Sequence, residues 1–281
     1  MRAPDWESPG GQHILRVFPR RTKATPYDNF VRFGPPDMLD PPEGCEEAHI
    51  SVTFTEDLDL GRDLLRAWRR VLPAQIGGPA CGDPGSDFTP GLYLQPGHVI
   101  TSRGCPNDCW FCLVPRREGP IRELPISEGH IIHDSNILAC SMTHIQAVFD
   151  MLARQVKRPV FAGGLEAARI DQRIANSLRR IKTDRLYCAY DTPDDCEPIF
   201  EAGKLLRNAG FTRHHLFAYV LIGYKGDTLR KATSRLLATW RAGFVPYAML
   251  YDRDRGDRWT RFQRQWCRPA VVKRLCREAT Q

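Results

Sequence analysis

Three cysteines lie close together in the segment CPNDCWFC, at Cys105, Cys109 and Cys112. They are separated by three and then by two residues and follow a short apolar run, HVITSR. Thiolates at this spacing in one loop can bind three of the four irons of a cubane cluster. Four protein ligands would close every iron, whereas three leave one iron open to an outside ligand, as in catalytic zinc sites. The spacing therefore predicts an iron-sulfur centre with an open coordination position.

A zinc site is the alternative use of these cysteines. A distant fourth ligand, such as His98 or His130, would complete a tetrahedral set. The protein would then be a non-catalytic zinc or iron-sulfur binding module.

The elements that must position the cysteine loop alternate regularly between strand and helix. Helical patterns such as EPIFEAGKLLRNAG, which ends at Gly210 as a C-terminal cap does, separate six candidate strands. These strands are 98–103, 130–134, 159–163, 185–190, 215–222 and 245–251. The pattern predicts an α/β protein with a parallel sheet, which we expect to form a partial (β/α)6 TIM-like barrel over residues 98–251. Chemistry in such sheets gathers at the C-terminal edge, where the cysteine loop follows the first strand.

Residues 1–97 are rich in Pro and Gly and show a smaller α/β pattern. Candidate strands at 13–18 and 49–54 precede a leucine-rich helical stretch and the segment AQIGGPA, which indicates a strand entering a glycine turn. We expect a small N-terminal extension that is truncated Rossmann-like.

The composition of the chain indicates a globular protein. The chain has 281 residues, of which 42% are hydrophobic and 26% are charged, as in globular proteins. No apolar run approaches the roughly 20 residues that span a bilayer, and the first residues lack a hydrophobic signal core. We therefore expect a cytoplasmic protein whose ten cysteines are reduced.

The cysteine segment, with the aromatic Phe111 directly before its last cysteine, resembles the CxxxCxxC signature of the radical S-adenosylmethionine (SAM) superfamily. The resemblance implies a [4Fe-4S] cluster on the three cysteines, with its fourth iron bound by the amino and carboxylate groups of SAM. It also implies an external electron donor of the flavodoxin or ferredoxin type. Reductive cleavage of SAM would then give a 5′-deoxyadenosyl radical that takes hydrogen from a substrate.

Two segments resemble the part of the family that binds the SAM amino group. Gly163, Gly164 and Glu166 in FAGGLEA are similar to the GGE motif, although they follow the third predicted strand and the family places the motif after the second. Asp134 and Asn136 in HDSN end the second predicted strand and are the alternative ligands for the amino group.

Two further residues match segments that contact other parts of SAM. Asp191 in YDTPDD follows the fourth predicted strand, where relatives place polar residues for the ribose or carboxylate, and helix capping is its alternative role. Gly223 in LIGYKGDT is similar to a glycine of the fifth strand, where the backbone approaches the adenine.

The flanks of the cysteine loop, SRGCP and VPRREG, look most like those of methylthiotransferases and cobalamin-dependent radical SAM enzymes. The chain departs from both branches. A methylthiotransferase needs three upstream cysteines for a second cluster, and only Cys45 and Cys81 precede Cys105. The cobalt-binding DxHxxG motif is absent, so cobalamin is a possible cofactor that we do not expect.

Residues 252–281 form a basic tail that carries much of the net charge of +7. Nine basic and four acidic residues alternate there with Trp259, Phe262 and Trp266. Arginines that neutralise phosphates beside aromatic rings that stack on bases are typical of nucleic-acid surfaces, whereas a packed helix with a charged outer face is the alternative. The tail predicts a nucleic-acid substrate, and a peptide or small metabolite is the alternative substrate.

Overall fold

We describe a computed structural model of the chain that covers residues 13–85 and 88–279. The chain divides into two compact units. One comprises Met1–Asp108 and Cys112–Gly129, and the other comprises Cys109–Phe111 and His130–Gln281.

The first unit contains a four-stranded parallel sheet with one helix against it. The strands are β1 (His13–Phe18), β2 (Val31–Phe33), β3 (Cys45–Ser51) and β4 (Ala74–Gly77), in the spatial order β2-β1-β3-β4, and the helix is α1 (Leu58–Trp68). The rest of the unit comprises β5 (His98–Val99), β6 (Ser102–Arg103), α2 (Val114–Glu118) and β7 (Arg122–Glu123).

Helix α1 packs on the four-stranded sheet through its apolar stripe. Leu64 and Trp68 are buried one turn apart, because residues spaced by four share a helix face. Gly61 lies on the same side of the helix, where a Cβ would come 2.6 Å from a methyl of Val52. The small residue allows the helix to approach the sheet closely.

The second unit alternates strands and helices in the order that the sequence predicted. The elements are β8 (Ile131–Ile132), α3 (Met142–Ala153), β9 (Val160–Phe161), α4 (Gln172–Arg180), β10 (Arg185–Ala189), α5 (Cys196–Asn208), β11 (Leu216–Ile222), α6 (Leu229–Arg241), β12 (Val245–Leu250), α7 (Asp257–Trp266) and α8 (Pro269–Glu278). Strands β8 to β12 lie side by side in chain order, and each pair is parallel. The α/β class with parallel sheets is confirmed, whereas the curvature of a partial barrel stays a prediction.

The predicted strand over 98–103 is interrupted. Residues 98–99 and 102–103 are separate short strands, and β6 pairs antiparallel with β7, the segment that returns from the cysteine loop. The backbone N–H of Leu124 also donates to the carbonyl of Thr101 at 2.9 Å. The strand breaks because backbone groups of residues 101–103 pair with the returning segment of the loop.

None of the helices in residues 13–85 and 88–279 is long and apolar enough to cross a membrane.

Candidate active site

The three cysteines of the predicted cluster lie in the loop between β6 and α2. None of the three is in a disulfide, and all three are partly exposed. Soft thiolate donors within reach of solvent suit iron-sulfur ligation, so the chemistry of this donor set fits a three-cysteine cluster. Over residues 13–85 and 88–279, no group of three or more His, Cys, Asp or Glu residues that could hold a metal ion is found. The ligand set Cys105, Cys109 and Cys112, like the zinc alternative with His98 or His130, stays a prediction.

The two ends of the cysteine loop are tied together by Glu118. This buried carboxylate accepts a hydrogen bond from the backbone N–H of Gly104 at 2.8 Å and pairs with Arg117 at 2.5 Å. The N–H of Cys105 donates to the carbonyl of Gly119 at 3.2 Å. Gly104 has φ +87°, and a Cβ there would lie 2.1 Å from the carbonyl oxygen of Pro120, so only glycine fits. The sequence analysis did not identify Glu118.

The aromatic residues inside the cysteine loop pack against segments that follow strands β11 and β12. The ring of Trp110 makes edge contacts with Tyr224 and Tyr251, each with centroids 5.5 Å apart, and with Phe111 at 5.3 Å. Tyr224 and Tyr251 come directly after the C-terminal ends of the two strands. Residues Cys109–Phe111 therefore lie at the C-terminal edge of the second unit's sheet. Phe111, the residue of the family signature, contacts this edge through Trp110.

The two alternative sets of ligands for the SAM amino group are neighbours. The side-chain amide of Asn136 donates to the carboxylate of Glu166 at 2.6 Å, across 30 residues of sequence. Glu166 also pairs with Arg169 at 2.6 Å, and Asp134 is buried with only 1% of its surface exposed. Residues after β8 and after β9 thus form one polar cluster, because the ends of adjacent parallel strands meet at the same edge.

The glycine pair of FAGGLEA has two different structural roles. A Cβ on Gly163 would lie 2.1 Å from the carbonyl oxygen of Asp134, so glycine is needed for close approach of the two strand ends. Gly164 has φ +103°, in the region that favours glycine, and its Cβ position is open, with the nearest atom 3.8 Å away. The turn brings Glu166 back toward the β8 segment.

Asp191 does not cap the helix that follows it. The capping box is formed by Thr192 and Asp195, whose carboxylate also accepts the N–H of Asp191 at 2.9 Å. The carboxylate of Asp191 instead accepts the N–H of Leu221 in β11 at 3.0 Å. Burial, together with the nearby charge of Asp195, raises the pKa of Asp191 to about 7, against the opposing effect of the Leu221 hydrogen bond and of Arg235.

The raised pKa of Asp191 predicts that stability decreases as pH rises. Between the usual pKa of 3.8 and the folded pKa of about 7, the unfolded chain has released the proton that the folded chain retains, so rising pH favours unfolding. Asp191→Asn removes this titration and keeps an oxygen for Leu221. Because the side chain is partly exposed, we expect the variant to gain about 1 to 3 kcal/mol relative to the parent between pH 4 and pH 7. Urea unfolding of both proteins across this range measures the gain, and parallel pH curves would contradict it.

The Gly223 turn after β11 is held by a buried ion pair. Gly223 has φ +75° and donates its N–H to Asp227 at 2.9 Å. Asp227 pairs with Arg235 of α6 at 2.7 Å, and both side chains are shielded from solvent. Arg235 also donates to the carbonyl of Leu221 at 2.8 Å, and Arg255 donates to that of Gly223 at 2.9 Å. The turn is therefore fixed from α6 and from the segment that follows β12.

Comparison with known proteins gives relatives of one kind. The chain is 27% identical over 176 residues to the ribosomal protein uS12 methylthiotransferase RimO of Dechloromonas aromatica, covering 58% of this chain and 40% of that protein. It is 25% identical over 221 residues to the protein of the same name from Brucella ovis, covering 71% of this chain and 47% of that protein. The chain is similar to the methylthiotransferase branch of the radical SAM enzymes. No family model matches it.

The similarity to the methylthiotransferases confirms the resemblance found in the sequence, over part of the relatives' length. The chain spans less than half the length of the curated relatives it matches. The cofactors expected from the cysteine loop, a [4Fe-4S] cluster and SAM, are those of the radical SAM methylthiotransferases.

The basic tail is packed rather than presented as a stacking surface. Trp259 and Trp266 are 9% and 3% exposed, and α7 and α8 pack against β12. The guanidinium of Arg255 lies 5.6 Å from the ring of Trp259 and binds the Gly223 turn. Of the aromatic residues that were expected to stack on bases, the two tryptophans belong to the core. The hypothesis that the tail tryptophans form a base-stacking surface is wrong, because both side chains are buried and α7 packs against β12.

The arginines that recur along the tail are mostly on the outer face. Those whose side chains are described as exposed are Arg258, Arg261, Arg264 and Arg268. They match the alternative expected from the sequence, a packed helix with a charged outer face.

Proposed function

We propose that this chain is a radical SAM enzyme whose cysteine loop holds a [4Fe-4S] cluster through Cys105, Cys109 and Cys112. The observation that carries the proposal is the loop itself, which has three partly exposed cysteines outside any disulfide at CxxxCxxC spacing. The similarity of the chain to methylthiotransferases also supports the proposal. When bound and reduced by an external flavodoxin- or ferredoxin-type donor, the cluster would supply the electron that cleaves SAM to methionine and a 5′-deoxyadenosyl radical.

The chain's own residues would position SAM at the C-terminal edge of β8 to β11. We assign the amino group to the cluster of Asn136 and Glu166, with Asp134 as the alternative ligand, since carboxylate and amide oxygens accept from an ammonium. Gly163 and Gly164 shape the backbone beside this cluster.

The remaining SAM contacts would come from the next two strands. We assign Asp191 to the ribose or carboxylate and the backbone at Gly223 to the adenine. The bond from Leu221 to Asp191 and the bond from Gly223 to Asp227 fix both groups in place. Preorganised groups of this kind bind a ligand without paying the entropy of ordering loops.

We propose a protein side chain as the substrate. The relatives are named for modification of ribosomal protein uS12, and the buried tryptophans of α7 leave the nucleic-acid hypothesis without its stacking surface. Methylthio transfer itself is not part of the proposal.

We further propose that residues 98–251 curl into the partial barrel of the radical SAM enzymes, with 1–97 as a small α/β region and 252–281 as a basic tail. The chain-order arrangement of β8 to β12 supports this, because strands of a barrel follow one another in sequence. A cytoplasmic location stays a prediction.

The test of the proposed function is anaerobic reconstitution with iron and sulfide, followed by addition of dithionite and SAM. We expect about four irons per chain, broad absorbance near about 400 nm, and formation of 5′-deoxyadenosine. A protein that retains one tetrahedral zinc ion and cleaves no SAM would overturn the proposal in favour of a zinc module.

Substitution of Glu166 and of Asp134 tests which of the two binds the SAM amino group. If Glu166 binds the ammonium, Glu166→Gln should weaken SAM binding by about 1 to 3 kcal/mol, the scale of a charge-assisted hydrogen bond. Iron content should be unchanged, because Glu166 is not a cluster ligand. Equilibrium dialysis of SAM with the reconstituted protein measures the loss.

Glu201→Gln, an exposed carboxylate on α5, is the matched control and should bind SAM as the parent does. Should Asp134→Asn weaken SAM binding while Glu166→Gln leaves it unchanged, the ligand is Asp134 and the assignment to Glu166 is wrong.

A further inference from the structure

A basic cavity opens at the edge of the second unit's sheet that is opposite to the cysteine loop. Its volume is about 480 Å³. The residues that line it come from just before β9, from the end of α4 and the turn before β10, and from just before β11: Arg158, Arg179, Arg180, Lys182, Thr183 and His215. The N-terminal ends of three adjacent parallel strands therefore form its walls, and none of the residues assigned to SAM takes part.

In the part of the chain that the structure describes, carboxylates do not pair with the cations of this cavity. Four of the six lining residues are permanent cations, and none is acidic. Among residues 13–85 and 88–279, no ion pair joins any of these four cations to a carboxylate. The neighbouring Asp184 pairs with Arg185 at 3.4 Å instead. Like charges gathered in a concavity repel one another and attract an anion from solvent.

Helix geometry accounts for only part of this charge. Arg179 and Arg180 lie in the last turn of α4, where the helix dipole favours cations, and Arg179 also rests over the ring of Phe211 at 5.8 Å. Arg158 belongs to another segment, the loop after α3, so the dipole of α4 does not explain its approach to the same cavity.

Lys182 is the most informative residue of the cavity. Among the described residues it is the single non-glycine residue with positive φ, at +57°. It directly follows the C-cap of α4, where the N–H of Lys182 donates to Arg179 and that of Thr183 donates to Leu178. Glycine is the usual residue at this position because it adopts the left-handed conformation without strain. A lysine in this strained position is explained if its ammonium has a role in the cavity.

We propose that this cavity binds the phosphate groups of a small phosphorylated molecule. Guanidinium and ammonium groups from two segments, the loop after α3 and the end of α4 with its following turn, line one space, and both kinds of group bind phosphate. The hydroxyl of the buried Thr183 donates a hydrogen bond to the carbonyl of Leu178 at 2.8 Å. The turn that carries Lys182 is therefore fixed before a ligand binds. The cavity opens to solvent and is lined by the ends of neighbouring elements, with a volume of about 480 Å³ that favours a small ligand over a nucleic-acid backbone.

Calorimetric titration of the full chain with inorganic pyrophosphate, without SAM or added iron, tests the proposal. Lys182→Gly is the first variant, because glycine relieves the backbone strain and any lost affinity is then a loss of charge. We expect pyrophosphate to bind the parent and the affinity to decrease about tenfold in Lys182→Gly and about tenfold in Arg158→Gln. Arg173→Gln, an exposed position on α4 outside the cavity, should bind like the parent.

Absence of pyrophosphate binding at millimolar concentration, or equal affinities for the parent and both cavity variants, would overturn the proposal. Tighter binding of a single-stranded oligonucleotide, lost in the same two variants, would also overturn it and assign the cavity to a nucleic-acid backbone. The assay contains neither cluster nor SAM, so its result is independent of the proposed radical SAM activity.

Discussion

Replacing any one of Cys105, Cys109 and Cys112 by alanine is expected to abolish formation of 5′-deoxyadenosine from SAM. Each thiolate would hold one iron of a cluster that has no fourth protein ligand, so the loss of one leaves two irons without protein ligation. The reconstituted variants should contain less than half the iron of the parent and should lose the absorbance of the cluster. Iron analysis and product chromatography measure both effects.

Cys81→Ala is the matched control for the cysteine variants. Cys81 is likewise in no disulfide, it is exposed, and it lies outside the cysteine loop. We expect its iron content and SAM cleavage to equal those of the parent. Full activity in any variant of the three loop cysteines would contradict the ligand assignment.

Asp227→Asn is expected to lower the free energy of unfolding by about 3 to 5 kcal/mol, the scale of breaking a buried ion pair. Asp227 and Arg235 form two hydrogen bonds, at 2.7 and 3.2 Å, and neither side chain has free access to water. An amide in place of the carboxylate leaves the Arg235 charge buried without its partner. It also weakens the hydrogen bond that holds Gly223, so SAM affinity should decrease as well. Urea unfolding measures the change.

An exposed ion pair of the same types provides the control for Asp227→Asn. Asp63 pairs with Arg66 on α1, and both side chains are more than half exposed. We expect Asp63→Asn to change the free energy of unfolding by less than about 1 kcal/mol. If the two variants unfold alike, the Asp227 pair does not hold the turn.

Local signals in the sequence predicted the alternation of elements well. Gly210, expected as a helix cap, lies just after the C-cap of α5 with φ +93°, and the strands β9 to β12 lie within their predicted ranges. Such features depend on residues close in sequence, because backbone conformation and apolar periodicity are local properties. The single strand predicted over 98–103 is divided into β5 and β6, because the pairing of β6 depends on β7, about 20 residues further along the chain.

By itself the sequence determined the cysteine loop, the α/β class and the segments that form the candidate site. Only the tertiary structure decided which of these residues are neighbours. Glu118 contacts Gly104, which is 14 residues away in the sequence, and Asn136 contacts Glu166, which is 30 residues away. The periodicity of a helix or strand predicts neither contact. The tail shows the same limit, since an amphipathic pattern such as that of α7 indicates that one face is buried but not what covers it. Helix α7 packs against β12, and Trp259 and Trp266 are buried. Burial depends on the partner that packs against a helix, and the helix sequence does not contain that partner.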